Sequence, residues 1–250
     1  MKIHILAVLS TNYTYVIETP KGGVIVDPGE FLPLDAFLKQ HNIVPIATLL
    51  THKHWDHVGG VSELIAAYPQ PIYGYMGEAF EFEYEGVENG GSLRIGGYDI
   101  RCMHLPGHTM GACAFLVNGC VFTGDVLFGG GCGRLFEGTA LDMLGSMDKL
   151  ASLPDATLVY FGHEYTQSNL MFAEYIEPNN KEIAKRTASL NKVTVPSTIL
   201  LEKMTNPFLR IDEPAIIERV DAYLGRQCKT RSERLGVLRE WKNHFDSEGI

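Results

Sequence analysis

The sequence predicts an α/β protein: two β-sheets with helices packed outside them, followed by an all-helical C-terminal segment. Three observations carry this reading. Of the 26 glycines, 23 lie at or before Gly162, so tight turns concentrate there. The same stretch holds short β-branched and aromatic runs bounded by Gly, Pro or Asn. Beyond it, helical periodicity dominates, punctuated by Pro178, Pro196 and Pro207.

Taken in order, strands are expected at 2–9, 13–18, 23–26, 46–50, 71–74, 92–95, 98–104, 112–117, 120–123 and 157–160. Helices are expected at 34–40, 60–68 and 139–150, the last with Thr139 as N-cap and Asp142 in the first turn. The C-terminal helices fall at 167–175, 178–192, 198–204, 214–224 and 232–244. The division into domains is expected at 1–165 and 166–250.

Composition narrows the function classes. The 250 residues carry a formal net charge of −9, which argues against a nucleic-acid partner. The deficit sits in residues 1–165. Between Arg226 and Lys242 six basic residues meet two acidic ones, forming a local basic patch. Five cysteines with no CxxC pair argue against a disulfide framework and for a reducing compartment, here the cytoplasm. Residues 1–10 read as a strand rather than a leader, and no run of 18 apolar residues suggests a membrane span.

The segment Thr51-His52-Lys53-His54-Trp55-Asp56-His57 concentrates three histidines and an aspartate between a strand and a helix. On extended backbone His52 and His54 point the same way, so both can reach one metal ion. Asp56 and His57 fall where the helix begins and suit a second ion beside the first. His108, Asp125 and His163 each stand at a strand end beside a glycine, and such ends converge on one edge of a sandwich. Imidazole and carboxylate ligands suit zinc, and also iron or manganese. A lone histidine at a strand end is usually a hydrogen-bonded surface residue, but packing does not explain a cluster of this density. His4, His41 and His244 are expected to be structural or solvated, and His104 is ambiguous. Gly129-Gly130-Gly131 lacks the context of a phosphate loop and is expected to let backbone approach the site.

Thr51–His57 resembles the THxHxDH signature of the metallo-β-lactamase superfamily. Gly131–Thr139, Gly162–Thr166, Asn206–Arg210 and Arg239–Lys242 resemble its glyoxalase II (hydroxyacylglutathione hydrolase) family, over nearly the whole chain. The resemblance implies an αββα sandwich with a C-terminal all-helical domain that binds glutathione. It implies two divalent metal ions, zinc ahead of iron or manganese. His52, His54 and His108 would hold one, Asp56, His57 and His163 the other, and Asp125 would bridge them. Asp56 and Asp125 are the residues with catalytic roles. Arg134, Phe136, Tyr165, Arg239 and Lys242 would contact the substrate's glutathione part. Arg134 and Phe136 stand where some members carry Lys and Tyr, so a phenol hydrogen bond is absent here.

The implied reaction is hydrolysis of S-D-lactoylglutathione and other S-2-hydroxyacylglutathiones to the 2-hydroxy acid and glutathione, the second step of methylglyoxal detoxification, by a metal-activated hydroxide. A thiol of pKa ~8.5 is a tolerable leaving group, which accounts for the lack of an obvious general acid. The expected partner is this small thioester alone, with the protein a monomer. Two rivals remain at this point: a mononuclear iron glutathione persulfide dioxygenase of the same superfamily, and a non-catalytic metal-binding module.

Overall fold

Side chains alternate across a strand, and in the central strands both sets are apolar, so these strands must be covered on both faces. In the computed structural model, which describes residues 1–248, this is how the first sheet is used. Its order is β1 (Lys2–Val8), β2 (Asn12–Thr19), β3 (Gly22–Val26), β4 (Pro45–Leu50), β5 (Ile72–Tyr75) and β6 (Glu85–Val87). Tyr13, Tyr15, Ile17, Val24, Val26, Ala47 and Leu49 face the core shared with the second sheet. The interleaved Val16 and Ile25 instead join Leu34, Leu38 and Leu64 from the outer helices α1 (Phe31–His41) and α3 (Val61–Ala67).

The second sheet runs β14 (Ser197–Thr198), β13 (Leu158–Phe161), β10 (Cys120–Gly124), β9 (Cys113–Val117), β8 (Tyr98–His104) and β7 (Ser92–Ile95). The ten expected strands form, with ends shifted by a residue or two. The structure adds β6, the two-residue pair β11 (Leu127–Phe128) and β12 (Gly131–Cys132), β14, and the single turn α2 (Trp55–Val58). All are too short to show a period. Helix α4 (Ala140–Ala151) starts where expected: the Asp142 N–H donates to Thr139 Oγ1 at 3.3 Å, and the Thr139 N–H donates to Asp142 Oδ2 at 2.8 Å.

The C-terminal segment is helical except for β14, which pairs antiparallel with β13 and so extends the second sheet. Its helices are α5 (Thr166–Ile176), α6 (Lys181–Ala188), α7 (Ile199–Thr205), α8 (Pro214–Leu224) and α9 (Arg231–Glu248). Helix α6 is shorter than the pattern implied: its start is set by Asn180, which caps it by accepting from the N–H groups of Glu182 and Ile183, and it ends at Ala188. The main core continues from between the sheets into this segment through Phe172, Phe208, Leu235, Leu238 and Trp241.

A buried polar network joins the two regions. Arg186 on α6 pairs with Glu202 on α7 at 2.6 Å, and Glu202 Oε2 accepts from the Gly130 N–H at 2.8 Å. Asn169 and Asn206 donate to the carbonyls of Gly129 and Gly131. A Cβ on Gly129 would lie 2.4 Å from Thr166 Oγ1, and one on Gly131 would lie 2.5 Å from Asn169 Nδ2. The close approach these glycines allow is to α5, whose Asn169 also lines the cavity described below. Arg186→Met should leave the Glu202 carboxylate buried without its cation and cost about 3–5 kcal/mol of stability. Denaturant unfolding measures this, and an unchanged midpoint would contradict it.

Candidate metal centre

Strand direction gathers the titratable residues. β9 is antiparallel to both β8 and β10, and β13 is parallel to β10, so β8, β10 and β13 point one way. The loops beyond their carboxyl ends deliver His108, Asp125 and His163. In the first sheet β3 and β4 are parallel and lead into Asp27 and the 51–57 loop. A bridge between Asn12 and His163 joins the two edges: the Tyr13 N–H donates to Gly162 O and the Glu164 N–H to Thr11 O, each at 2.8 Å.

Two sets of three ligand atoms result. Those of His52, His54 and His108 lie within 4.8 Å of one another, as do those of Asp56, His57 and His163. Asp125 faces both sets. Its Oδ1 is 3.2 Å from His57 Nε2, and its Oδ2 is 3.2 Å from His163 Nε2 and 3.5 Å from His108 Nε2. His52, His57, His108, Asp125 and His163 are buried, whereas Asp56 is only partly so.

Asp27, His52 and His57 also fall within metal-binding distance of one another. The Asp27 carboxylate is already engaged, however. It accepts from the Thr51 N–H at 2.8 Å, from Thr51 Oγ1 at 2.6 Å and from His57 Nδ1 at 3.0 Å. It acts on the ligands rather than as one of them. With Nδ1 engaged by Asp27, His57 turns Nε2 toward Asp125. The Thr51 hydroxyl, already a donor to Asp27, accepts from His52 Nδ1 at 3.1 Å. His108 Nδ1 donates to the Arg134 carbonyl at 2.9 Å, and His163 Nδ1 meets Thr11 Oγ1 at 3.0 Å. Asn12 Nδ2 donates to Asp56 Oδ2 at 2.8 Å. Outer partners of this kind fix ring orientation and tautomer at metal sites.

The inner faces of these rings are correspondingly unsatisfied. His52 Nε2 and Asp125 Oδ1 are buried without a hydrogen bond. His54 Nδ1 faces His108 Nε2 at 3.0 Å, and His57 Nε2 faces His163 Nε2 at 3.2 Å. Facing lone pairs repel unless a cation or proton lies between them, so the donor set fits divalent metal ions. The acid–base balance agrees. Burial holds the pKa of His52 and of His108 below the ordinary value, keeping them neutral. Burial opposes charge on His57 and His163 too, but neighbouring carboxylates, Asp125 above all, outweigh it and raise both pKa values. Asp125 is driven well below the carboxylate range, against the effect of burial, by His57 and His163.

Glycines make room for this packing. A Cβ on Gly162 would lie 2.3 Å from Asp125 Oδ1 and 2.7 Å from His57 Cε1, and one on Gly133 would lie 1.9 Å from Asp125 O. The other histidines stay outside the centre: His4 pairs with Glu18, and His104 stacks on Tyr75 and meets the Met110 carbonyl.

Beside the centre opens a cavity of about 490 Å³, reached by His108 and Asp125 and lined by Arg134, Phe136, Tyr165, Arg239 and Lys242. Tyr165 stacks on His163 at 4.8 Å, and Phe136 sets its edge against His54 and His108. The basic run does not act as one surface patch. Arg231 pairs with Asp148 and Asp212, and Arg226 pairs with Glu233. Arg239 and Lys242 are instead buried. Arg239 Nη1 donates to the Cys132 carbonyl at 2.6 Å, and Lys242 Nζ donates to Ser168 Oγ at 2.9 Å and to Asp246. A wider groove between α6 and α8 gathers neither histidines nor cysteines.

Sequence reasoning passed over Thr11, Asn12, Asp27, Thr51 and Asp246. One signal was readable: Asp27 directly follows a strand, as Asp125 does.

Asp27→Asn should weaken metal binding about 10–100-fold with the far-ultraviolet spectrum unchanged, as loss of an outer-shell partner does. Competition against a chromophoric chelator measures it, and wild-type affinity would refute the role. Because protons on His57 and His163 must leave before a metal enters, metal binding should release protons and tighten as pH rises, roughly tenfold per pH unit for each proton displaced. Calorimetry in buffers of different ionisation enthalpy would show the release, and a flat pH profile would contradict it.

The chain matches two family profiles. One, described as Metallo-beta-lactamase superfamily, covers residues 8–101 and 102–163, and the other, Hydroxyacylglutathione hydrolase C-terminus, covers residues 164–245. Hydroxyacylglutathione hydrolase of Nitrosomonas eutropha is 39% identical over 242 residues, covering 94% of this chain and 95% of the relative. Among solved structures, that of ETHE1 from Myxococcus xanthus superposes with a TM-score of 0.71 at 24% identity, covering 96% of this chain and 91% of that one, a likeness of fold. TTHA1623 in a di-iron-bound form superposes with a TM-score of 0.62 at 30% identity, covering 84% of this chain and all of that one.

Proposed function

The chain belongs to the hydroxyacylglutathione hydrolases of the metallo-beta-lactamase superfamily, and from that premise we propose that it hydrolyses S-D-lactoylglutathione and related S-2-hydroxyacylglutathiones, the second step of methylglyoxal detoxification. The observation that carries this is the meeting of the two ligand sets with a cavity whose far wall holds buried cations. We assign His52, His54 and His108 to one divalent ion, Asp56, His57 and His163 to a second, and Asp125 to both. Zinc suits this set of nitrogen and oxygen donors.

When bound, such a pair of ions supplies Lewis acidity and lowers the pKa of water toward ~7. The chain's own residues do the rest. Asp125, ionised through its surroundings, keeps both oxygens directed at the two ligand sets. Asn12 donates to Asp56 Oδ2 and holds this carboxylate beside His163, where it would orient the attacking water rather than protonate the leaving group. Phe136 and Tyr165 flank the centre on the cavity lining, where they would contact the glutathione part of the thioester. Arg134, Arg239 and Lys242 draw the glutathione carboxylates into the cavity, away from the reacting carbon. Residues 1–165 thus carry the chemistry, and residues 166–250 complete the binding wall.

Among the described residues no helix is long and apolar enough to cross a membrane. The five free cysteines fit a reducing compartment, and we place the protein in the cytoplasm as a monomer. A one-iron dioxygenase would leave the set of Asp56, His57 and His163 without a task.

The direct test is hydrolysis of S-D-lactoylglutathione with parallel metal analysis. Free thiol should appear with about two metal ions per chain and no oxygen uptake. Oxygen consumption with glutathione persulfide and one iron per chain would favour the dioxygenase instead. Asp125→Ala should lose metal and turnover together, whereas normal metal content with normal turnover would refute the bridging assignment. Arg239→Ala should raise KM about tenfold, more than it lowers kcat, as loss of a charged hydrogen bond does.

A further inference from the structure

Asp246 lines the same space as Arg239 and Lys242, one helical turn beyond Lys242 on α9. Its Oδ1 accepts from Lys242 Nζ and, at 3.0 Å, from Ser168 Oγ. Its Oδ2 lies 4.0 Å from Arg239 Nη2. The Lys242 side chain is only 2% exposed and that of Asp246 is 28% exposed. Lys242 thus presents a desolvated ammonium whose charged partner stands at the open side of the pair.

A buried ammonium needs a counter-charge, and Asp246 supplies it before any ligand arrives. A substrate carboxylate entering this wall seeks the same donors. It must displace Asp246 or lie against it, and like charges at contact distance repel. The groups facing the pair are few. Ser168 on α5 is neutral, Phe172 and Phe245 present ring faces to the ammonium, and Arg239 is the nearest second cation.

We propose that Asp246 is a specificity-setting residue, a resident carboxylate that occupies the anion position on Lys242 and Arg239 and that an acidic substrate displaces on binding. This rests on the reading that the cavity takes the glutathione part of the thioester. Two consequences follow. Anions that offer one weak contact are kept off the cationic wall, because they do not repay the loss of the internal pair. The product glutathione, which carries the same carboxylates, is held less firmly than three cations alone would hold it, and its release is eased.

The test compares two variants of the metal-loaded enzyme. Asp246→Asn keeps the size of the side chain and an acceptor for Lys242 while removing the competing charge. It should lower KM for S-D-lactoylglutathione, and the inhibition constant of glutathione, by about fivefold, some 1 kcal/mol. The gain should vanish for the same thioester with its carboxylates esterified. Lys242→Ala should raise KM for the free acid. An Asp246→Asn KM that is unchanged or raised, with Lys242→Ala impaired, overturns the competitor role and leaves the cavity reading standing. If Lys242→Ala leaves KM unchanged, the cavity reading itself falls, and the role of Asp246 with it.

Discussion

Buried imidazoles turned toward one another are the constraint on which the rest of this molecule depends. His54 faces His108, His57 faces His163, and Asp125 lies between the pairs. Left to itself, such an arrangement is costly, since the nitrogens have lost water and gained only each other. Neighbouring carboxylates favour the protonated forms of His57 and His163, so protons offset this cost where a cation is absent and are released as one binds.

The cluster holds because its outer edge is tied to the sheets. Asp27 engages Thr51 and His57, Thr51 engages His52, the Arg134 carbonyl engages His108, and Thr11 engages His163. The ties to His52, His57, His108 and His163 take up Nδ1 and turn Nε2 inward. Gly162 and Gly124 let the two strand ends come together, the latter at φ +48 with Thr51 against it. In this respect glycine serves the centre more than the loops do.

Charge is divided differently in the neighbouring cavity. Arg239 and Lys242 lie on the last helix of a segment whose apolar residues continue the main core, and whose Arg186–Glu202 pair braces the 129–131 loop. The wall of the cavity and the floor beside it are therefore set by one packed unit. An anion-binding wall built from buried cations needs internal partners when empty, and Asp246, Ser168 and the Cys132 carbonyl provide them.

Much of this was legible in the sequence. The β-branched and aromatic strand runs, the Thr139 cap, the proline-bounded helices and the density of His52–His57 are local properties, set by periodicity and composition within a few residues. So were His108, Asp125 and His163 as strand-end residues. What only the tertiary structure decided is which distant groups meet. The Asp27 tie to His57, the Asn12 hold on Asp56 and the burial of Arg239 and Lys242 join positions from 30 to more than 100 residues apart, or follow from packing. Nothing in a local run of residues records the direction of a neighbouring strand. The basic stretch at 226–242 shows the same limit: its charges look alike in sequence, yet packing sends Arg231 to a surface ion pair and Lys242 into the cavity wall. Burial decides what a charge does, and burial belongs to the fold.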